Sequence, residues 1–123
     1  MIEELIITDD NINKYINKKY IYFKDNRLTI LIKIRKLIIN NKNVISLICY
    51  NCELEELDIN NCINLQELEC SYNKLQKLNI NKLINLKKLI CYNNPFNEVN
   101  MNNSILLQKI YCDTDKIDYF INY

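Results

Sequence analysis

Few side chains in this sequence could do chemistry. There are six cysteines, Cys49, Cys52, Cys62, Cys70, Cys91 and Cys112, three serines, Ser46, Ser71 and Ser104, and no histidine. Cys49-Tyr-Asn-Cys52 has the spacing of a zinc half-site, but no second pair at that spacing and no imidazole completes it. The serines have no histidine to activate them. Glu67 and Glu69 are two carboxylates on one strand face, both expected in water, where nothing drives their pKa values apart into an acid and a base. The expectation is a protein without catalytic residues, metal or cofactor. A thiol- or zinc-dependent protein is the alternative that six cysteines keep open.

What these residues share is their position in a period. Displacing the sequence by 21 residues aligns Val44, Leu65, Leu86 and Leu107, and likewise Leu47, Leu68, Leu89 and Ile110. Cys49, Cys70, Cys91 and Cys112 form a third line, and Cys52, Asn73, Asn94 and Asp115 a fourth. Leu54, Leu75, Phe96 and Ile117 follow, then Leu57, Leu78, Val99 and Phe120. A fixed period of this length means a solenoid of stacked coils, because one coil cannot bury its own apolar face and neighbours must cover it. The cysteine file is therefore read as four small, reduced, buried hydrophobes. Stacked in one column, these side chains point the same way and do not bridge.

The repeat, L-x-x-L-x-C-x-x-N-x-L-x-x-L-x-I, resembles the leucine-rich repeat family. It is most similar to the 21-residue, cysteine-bearing subclass represented by internalin J, over residues 44 to 120. The resemblance implies a repeat solenoid with a single curved parallel β-sheet on the concave side, short extended or 3₁₀ segments on the convex side, little helix, and a binding role. It also implies that Asn73 and Asn94 are buried and bonded to the loop backbone, with Asp10 and Asp115 in less enclosed versions of that place.

At 123 residues with 49% hydrophobic residues the chain reads as one domain, 1–123. Glycine, alanine, histidine and tryptophan are absent, while isoleucine, asparagine and lysine make up nearly half the chain. This composition carries the imprint of an AT-rich genome, such as those of some large DNA viruses, spirochaetes, slime moulds or malaria parasites. The net charge of +1 lacks the concentrated basic surface that nucleic-acid binding needs. Charge is uneven, however: residues 23–43 carry six Lys/Arg against Asp25, and residues 44–64 carry Glu53, Glu55, Glu56 and Asp58 with no base, so adjacent coils attract. The start MIEELIITDDN is too acidic for a secretory signal, and no stretch has the ~18 apolar residues of a membrane span. A soluble, intracellular protein is expected, cytoplasmic, or in the host cytoplasm if the source is viral, with no nucleic-acid or membrane partner.

Coils are expected to start near 2, 23, 44, 65, 86 and 107. Ile2, Leu5, Ile7, Asp10, Ile12 and Tyr15 fit the offsets of a first coil. Residues 23–43 fit poorly, since Asn26 stands where a leucine belongs and Leu31 where asparagine belongs. That segment reads as an irregular coil with a long strand and a one-residue slip that matches Ile34, Leu37 and Ile39 to Leu75, Leu78 and Ile80. A hairpin of YIYF and RLTILIKI about Asp25 and Asn26 is the alternative. Without glycine the corners fall to asparagine, at Asn60-Asn61, Asn93-Asn94 and Asn102-Asn103.

Alternation along each strand sends every second side chain outward. The outward rows are Glu4, Ser46, Glu67, Lys88 and Lys109; then Ile6, Ile48, Glu69, Ile90 and Tyr111; then Thr8, Tyr50, Ser71, Tyr92 and Asp113. The expected function is binding of a protein partner through this face, with Ile48, Tyr50, Glu67, Glu69, Lys88, Ile90, Tyr92, Lys109 and Tyr111 as contacts, since aromatic anchors dominate interface energetics. Strand propensity alone would also select Ile and Tyr there. A second expectation is assembly, including homo-oligomerisation, by stacking through uncapped ends at Ile2, Leu5, Ile117 and Phe120.

Overall fold

A computed structural model describes residues 1–15, 20–101 and 107–120, and within these the chain is a repeat solenoid with very little helix. Each regular coil contributes a three-residue strand to a principal sheet and a second short strand to the return side. The principal strands are β5 (Ser46–Ile48), β7 (Glu67–Glu69), β9 (Lys88–Ile90) and β11 (Lys109–Tyr111). They lie parallel with Leu47 beside Leu68, Leu68 beside Leu89 and Leu89 beside Ile110. The register is therefore the sequence period itself. Return strands β4 (Ile34–Asn40), β6 (Glu56–Asp58), β8 (Lys77–Asn79) and β10 (Glu98–Asn100) pair in two short sheets, β1-β4-β6 and β8-β10, β1 being Ile2–Thr8.

The core runs between these two limbs as columns of apolar side chains. Leu47, Leu68 and Leu89 are buried, as are Val44, Leu65 and Leu86, and Leu54, Leu75 and Phe96. Each apolar side chain is covered by its counterparts in the coils above and below, which is the physical meaning of the repeat. Where a column reaches the last described coil the cover thins: Leu107, Ile110 and Cys112 are only partly buried. Phe120 closes the return half instead, stacking edge-on against Phe96 at 6.3 Å after a 3₁₀ turn, Thr114–Tyr119, in which the Lys116 ammonium donates to the Phe96 carbonyl at 3.0 Å.

The first two coils depart from the simple period. β1 does not extend the principal sheet: it pairs with β4 on the return side, Leu5 beside Leu37 and Ile7 beside Ile39. Ile6, Thr8 and Glu4 therefore leave the outward rows assigned to them. Alternating Ile and Leu fit either face, and charge selects the return side, where Arg35 donates to Glu3 at 2.7 Å and Lys36 lies 3.8 Å from Glu4. The hairpin, rather than the irregular coil, describes the next segment. β2 (Ile21–Lys24) runs antiparallel to β3 (Arg27–Ile30), which joins the principal sheet beside β5. Asp25 and Asn26 both have positive φ, 53° and 60°, the geometry of a tight two-residue hairpin turn. Leu28, not Asn26, fills the leucine column beside Leu47. The one-residue slip in the second half agrees with Leu37 lying beside Leu57.

Left-handed backbone recurs at a corner the period itself defines, Asn51, Tyr72 and Asn93, with φ of 53°, 58° and 53°. Asn93 is among the expected corners. Asn60 and Asn61 do not have positive φ, because that corner turns through right-handed bends closed by Cys62 N–H to the Ile59 carbonyl and Leu65 N–H to the Cys62 carbonyl. Asn102 and Asn103 lie outside the described residues. Asparagines instead tie coils together: the exposed Asn64 and half-buried Asn85 side chains donate to the Lys42 and Ile63 carbonyls of the preceding coil at 2.7 and 3.0 Å.

Candidate interaction face

The cysteines sort by depth. Cys49, Cys70 and Cys91 are buried in the core column, Cys52 and Cys62 are buried at its margins, and all six thiols are free. Cys112 departs from the buried file, being half-buried because no described coil covers its outer side. Burial disfavours the thiolate and pushes Cys49, Cys70 and Cys91 well above the usual thiol range, Cys62 up to about 12 and Cys52 up to about 11. The Cys52 and Cys62 S–H groups point at the Ile30 and Ile39 carbonyls, 3.2 and 3.3 Å away. Among the described residues no three His, Cys, Asp or Glu side chains gather as metal ligands.

Asn73 is fully committed to the backbone. Its Oδ1 accepts from the Cys52 and Leu54 N–H groups, both at 3.0 Å, and its Nδ2 donates to the Cys49, Cys70 and Ser71 carbonyls. Asn94 does the same one coil on, accepting from Leu75 N–H and donating to the Cys70 and Tyr92 carbonyls. An amide supplies both signs from one side chain, and these bonds hold the turn after each principal strand in register. Asp115, exposed on the 3₁₀ turn, and Asp10 are the less enclosed positions.

The register holds past the strands, through Asn51 N–H to the Ser71 carbonyl (2.9 Å) and Tyr72 N–H to the Tyr92 carbonyl (2.8 Å). It brings the outward residues into one face. Tyr50 is 48% exposed, Tyr92 38% and Tyr111 40%, while Ile48 and Ile90 are half-buried beside them. Glu67 and Lys109 are exposed, and Lys88 and Glu69 half-buried. Two residues assigned to this face are not available on it. Ser46 and Ser71 are each 3% exposed, since a side chain so short is shaded by longer ones on neighbouring strands. Ser71 Oγ accepts from Tyr92 N–H at 2.9 Å, and Ser46 lies between the strands bearing Arg27 and Glu67, which approach to 3.7 Å. A groove of about 270 Å³ opens there, lined by Arg27, Ile48, Glu67, Glu69 and Ile90 among others.

The return face is different in kind. Glu4, Lys36 and Glu56 stand side by side on β1, β4 and β6, and Lys77 beside Glu98 on β8 and β10, so charge alternates along it. Lys36 and Arg35 both reach Glu56, at 3.3 and 3.4 Å. Hydrogen bonding from Lys36, with its charge, holds the Glu56 carboxyl below the usual range. A cleft of about 510 Å³ lies where β6 and β8 fail to join, lined by Arg35, Glu56, Lys74 and Lys77. Its charges of both signs were visible in the sequence as opposite coil balances; the split in the sheet was not.

No protein-family model, curated protein or solved structure matches this chain. Among the described residues no helix is long and apolar enough to cross a membrane.

Proposed function

We propose that this protein is a non-enzymatic interaction module that binds a protein partner through its principal sheet face. One contrast carries the reading. Around β1, β4 and β6 the return face closes ion pairs among its own charges, whereas the principal face presents Tyr50 and Tyr92 in one row and Tyr111 in the next, and leaves Glu69, Lys88 and Lys109 without an ion pair among the described residues. Exposed aromatic anchors within a polar rim are a mark of protein interfaces. The likeness of the repeat to leucine-rich repeats supports the same reading, and six unbridged thiols favour a reducing compartment such as the cytoplasm.

Amine-reactive cross-linking of the protein to a partner isolated from its native source tests this. Cross-links concentrated at Lys88 and Lys109 support the principal face. Cross-links confined to Lys36, Lys74 and Lys77 place binding on the return side and overturn the assignment.

A further inference from the structure

On the proposed binding face, β7 and the residues after it form the floor of a trough. Along it run Glu69 and Ser71; on one side stand Ile48 and Tyr50, on the other Ile90 and Tyr92. The walls match because they sit one coil either side of β7. Strands are spaced at about 4.8 Å, so the two walls are about 10 Å apart, and a group midway lies about 5 Å from each. Ser71 is short, held by its bond to Tyr92 N–H and covered at 3% exposure, so the two tyrosines rise above the floor on either side of it, and the open groove lies along Glu69 between Ile48 and Ile90.

One carboxylate in the trough has no ion pair, although Lys88 lines the same groove. Arg27 lies 3.7 Å from Glu67, but Glu69 has no cation within salt-bridge range among the described residues. Its Oε1 accepts from Ser71 N–H at 2.9 Å, which fixes the carboxylate and leaves Oε2 for a visitor. Its row neighbours are the aliphatic Ile48 and Ile90. An aliphatic lane beside an oriented carboxylate, with a tyrosine one strand away on either side of Ser71, is complementary to a long side chain that carries its charge at the tip.

Resting on the reading of this face as the binding surface, we infer that the trough along β7 receives a lysine or arginine side chain of the partner, its stem against Ile48 and Ile90 and its cation between Tyr50, Tyr92 and Glu69. Arginine fits better than lysine, because a planar guanidinium stacks on aromatic faces while donating to a carboxylate.

The test is a titration of the ¹⁵N-labelled protein, at low salt, with acetyl-Leu-Arg-Leu-amide, and with the same peptide carrying norleucine or glutamate in place of arginine. The arginine peptide should shift the amides of 48–50, 69–71 and 90–92 with a common saturation, about tenfold more tightly than the norleucine peptide. Glu69→Gln, which keeps an oxygen for Ser71 N–H, should erase that tenfold difference, and Tyr50→Leu should weaken the arginine peptide roughly threefold, the scale of an exposed cation–π contact. Equal binding of arginine and norleucine on this face, tighter binding of the glutamate peptide there, or no effect of Glu69→Gln would each overturn the cation trough while leaving the face as the binding surface. Shifts from all three peptides confined to the return strands would overturn both.

Discussion

At the scale of single residues, Asn73 is the position the coil can least afford to change. Asn73→Asp keeps the two accepted bonds but turns an oxygen toward three carbonyls, and should cost about 3 kcal/mol or more in a urea melt. Leu68→Ala and Leu89→Ala should cost about 2 to 5 kcal/mol through the cavities they leave, while Glu67→Ala and Lys88→Ala should stay within about 0.5. Equal losses in both pairs would mean the strand phase is wrong by one residue. The thiols give a pH signature. Their folded pKa values are raised, so the neutral thiol is favoured by the fold. That contribution is complete below the usual value near 9 and drains away as pH rises through 11 and 12 for Cys52 and Cys62. The urea midpoint should be level to about pH 8.5 and fall above it, less steeply in Cys62→Val. In native buffer at neutral pH only Cys112 should react promptly with a thiol reagent, the other five waiting for unfolding.

At the scale of elements, the left-handed corners after β5, β7 and β9 are filled by Asn51, Tyr72 and Asn93, and only the tyrosine is bulky. Tyr72 is 56% exposed, so Tyr72→Asn removes little packing and should raise stability by about 1 kcal/mol in the same melt; a loss would mean that the ring is held by contacts outweighing its backbone strain. The principal strands were legible in the sequence because a leucine between charged neighbours, as in Glu67-Leu68-Glu69, fixes both period and phase. Three things were not. β1 has an alternation that suits either limb, and its place follows from Glu3 and Glu4 meeting Arg35 and Lys36 thirty-two residues on, a pairing no local pattern announces. The turn at Asp25 and Asn26 was recognisable as an alternative, but a broken repeat and a hairpin make the same demand on Leu28 and Ile30. Ser46 and Ser71 have the right parity to face outward and are covered by neighbours that lie near only in the fold.

At the scale of the whole molecule, the two limbs of the same coil differ in how their charges are paired. Charge alternating across β1, β4 and β6 secures neighbouring coils to one another, and because the lowered Glu56 pKa makes that contribution present above the usual glutamate value near 4.5 and lost as pH falls through its folded value, Glu56→Gln should flatten the acid limb of the stability profile. End-stacking at Leu5 and Phe120 has little surface to use, since these are 8% and 3% exposed; Ile2 and Ile117 remain partly open. On the proposed reading the principal face is the one that meets a partner. The measurement that tests this division most directly compares two sets of variants by binding titration against the isolated partner, with a melt of each. Tyr92→Ser with Tyr111→Ser should weaken binding by more than about 2 kcal/mol, roughly thirtyfold, with the melt nearly unchanged, and Glu56→Ser with Lys77→Ser and Glu98→Ser should leave binding as it was. Normal binding by the tyrosine variant, or loss confined to the return-face variant, would contradict the account.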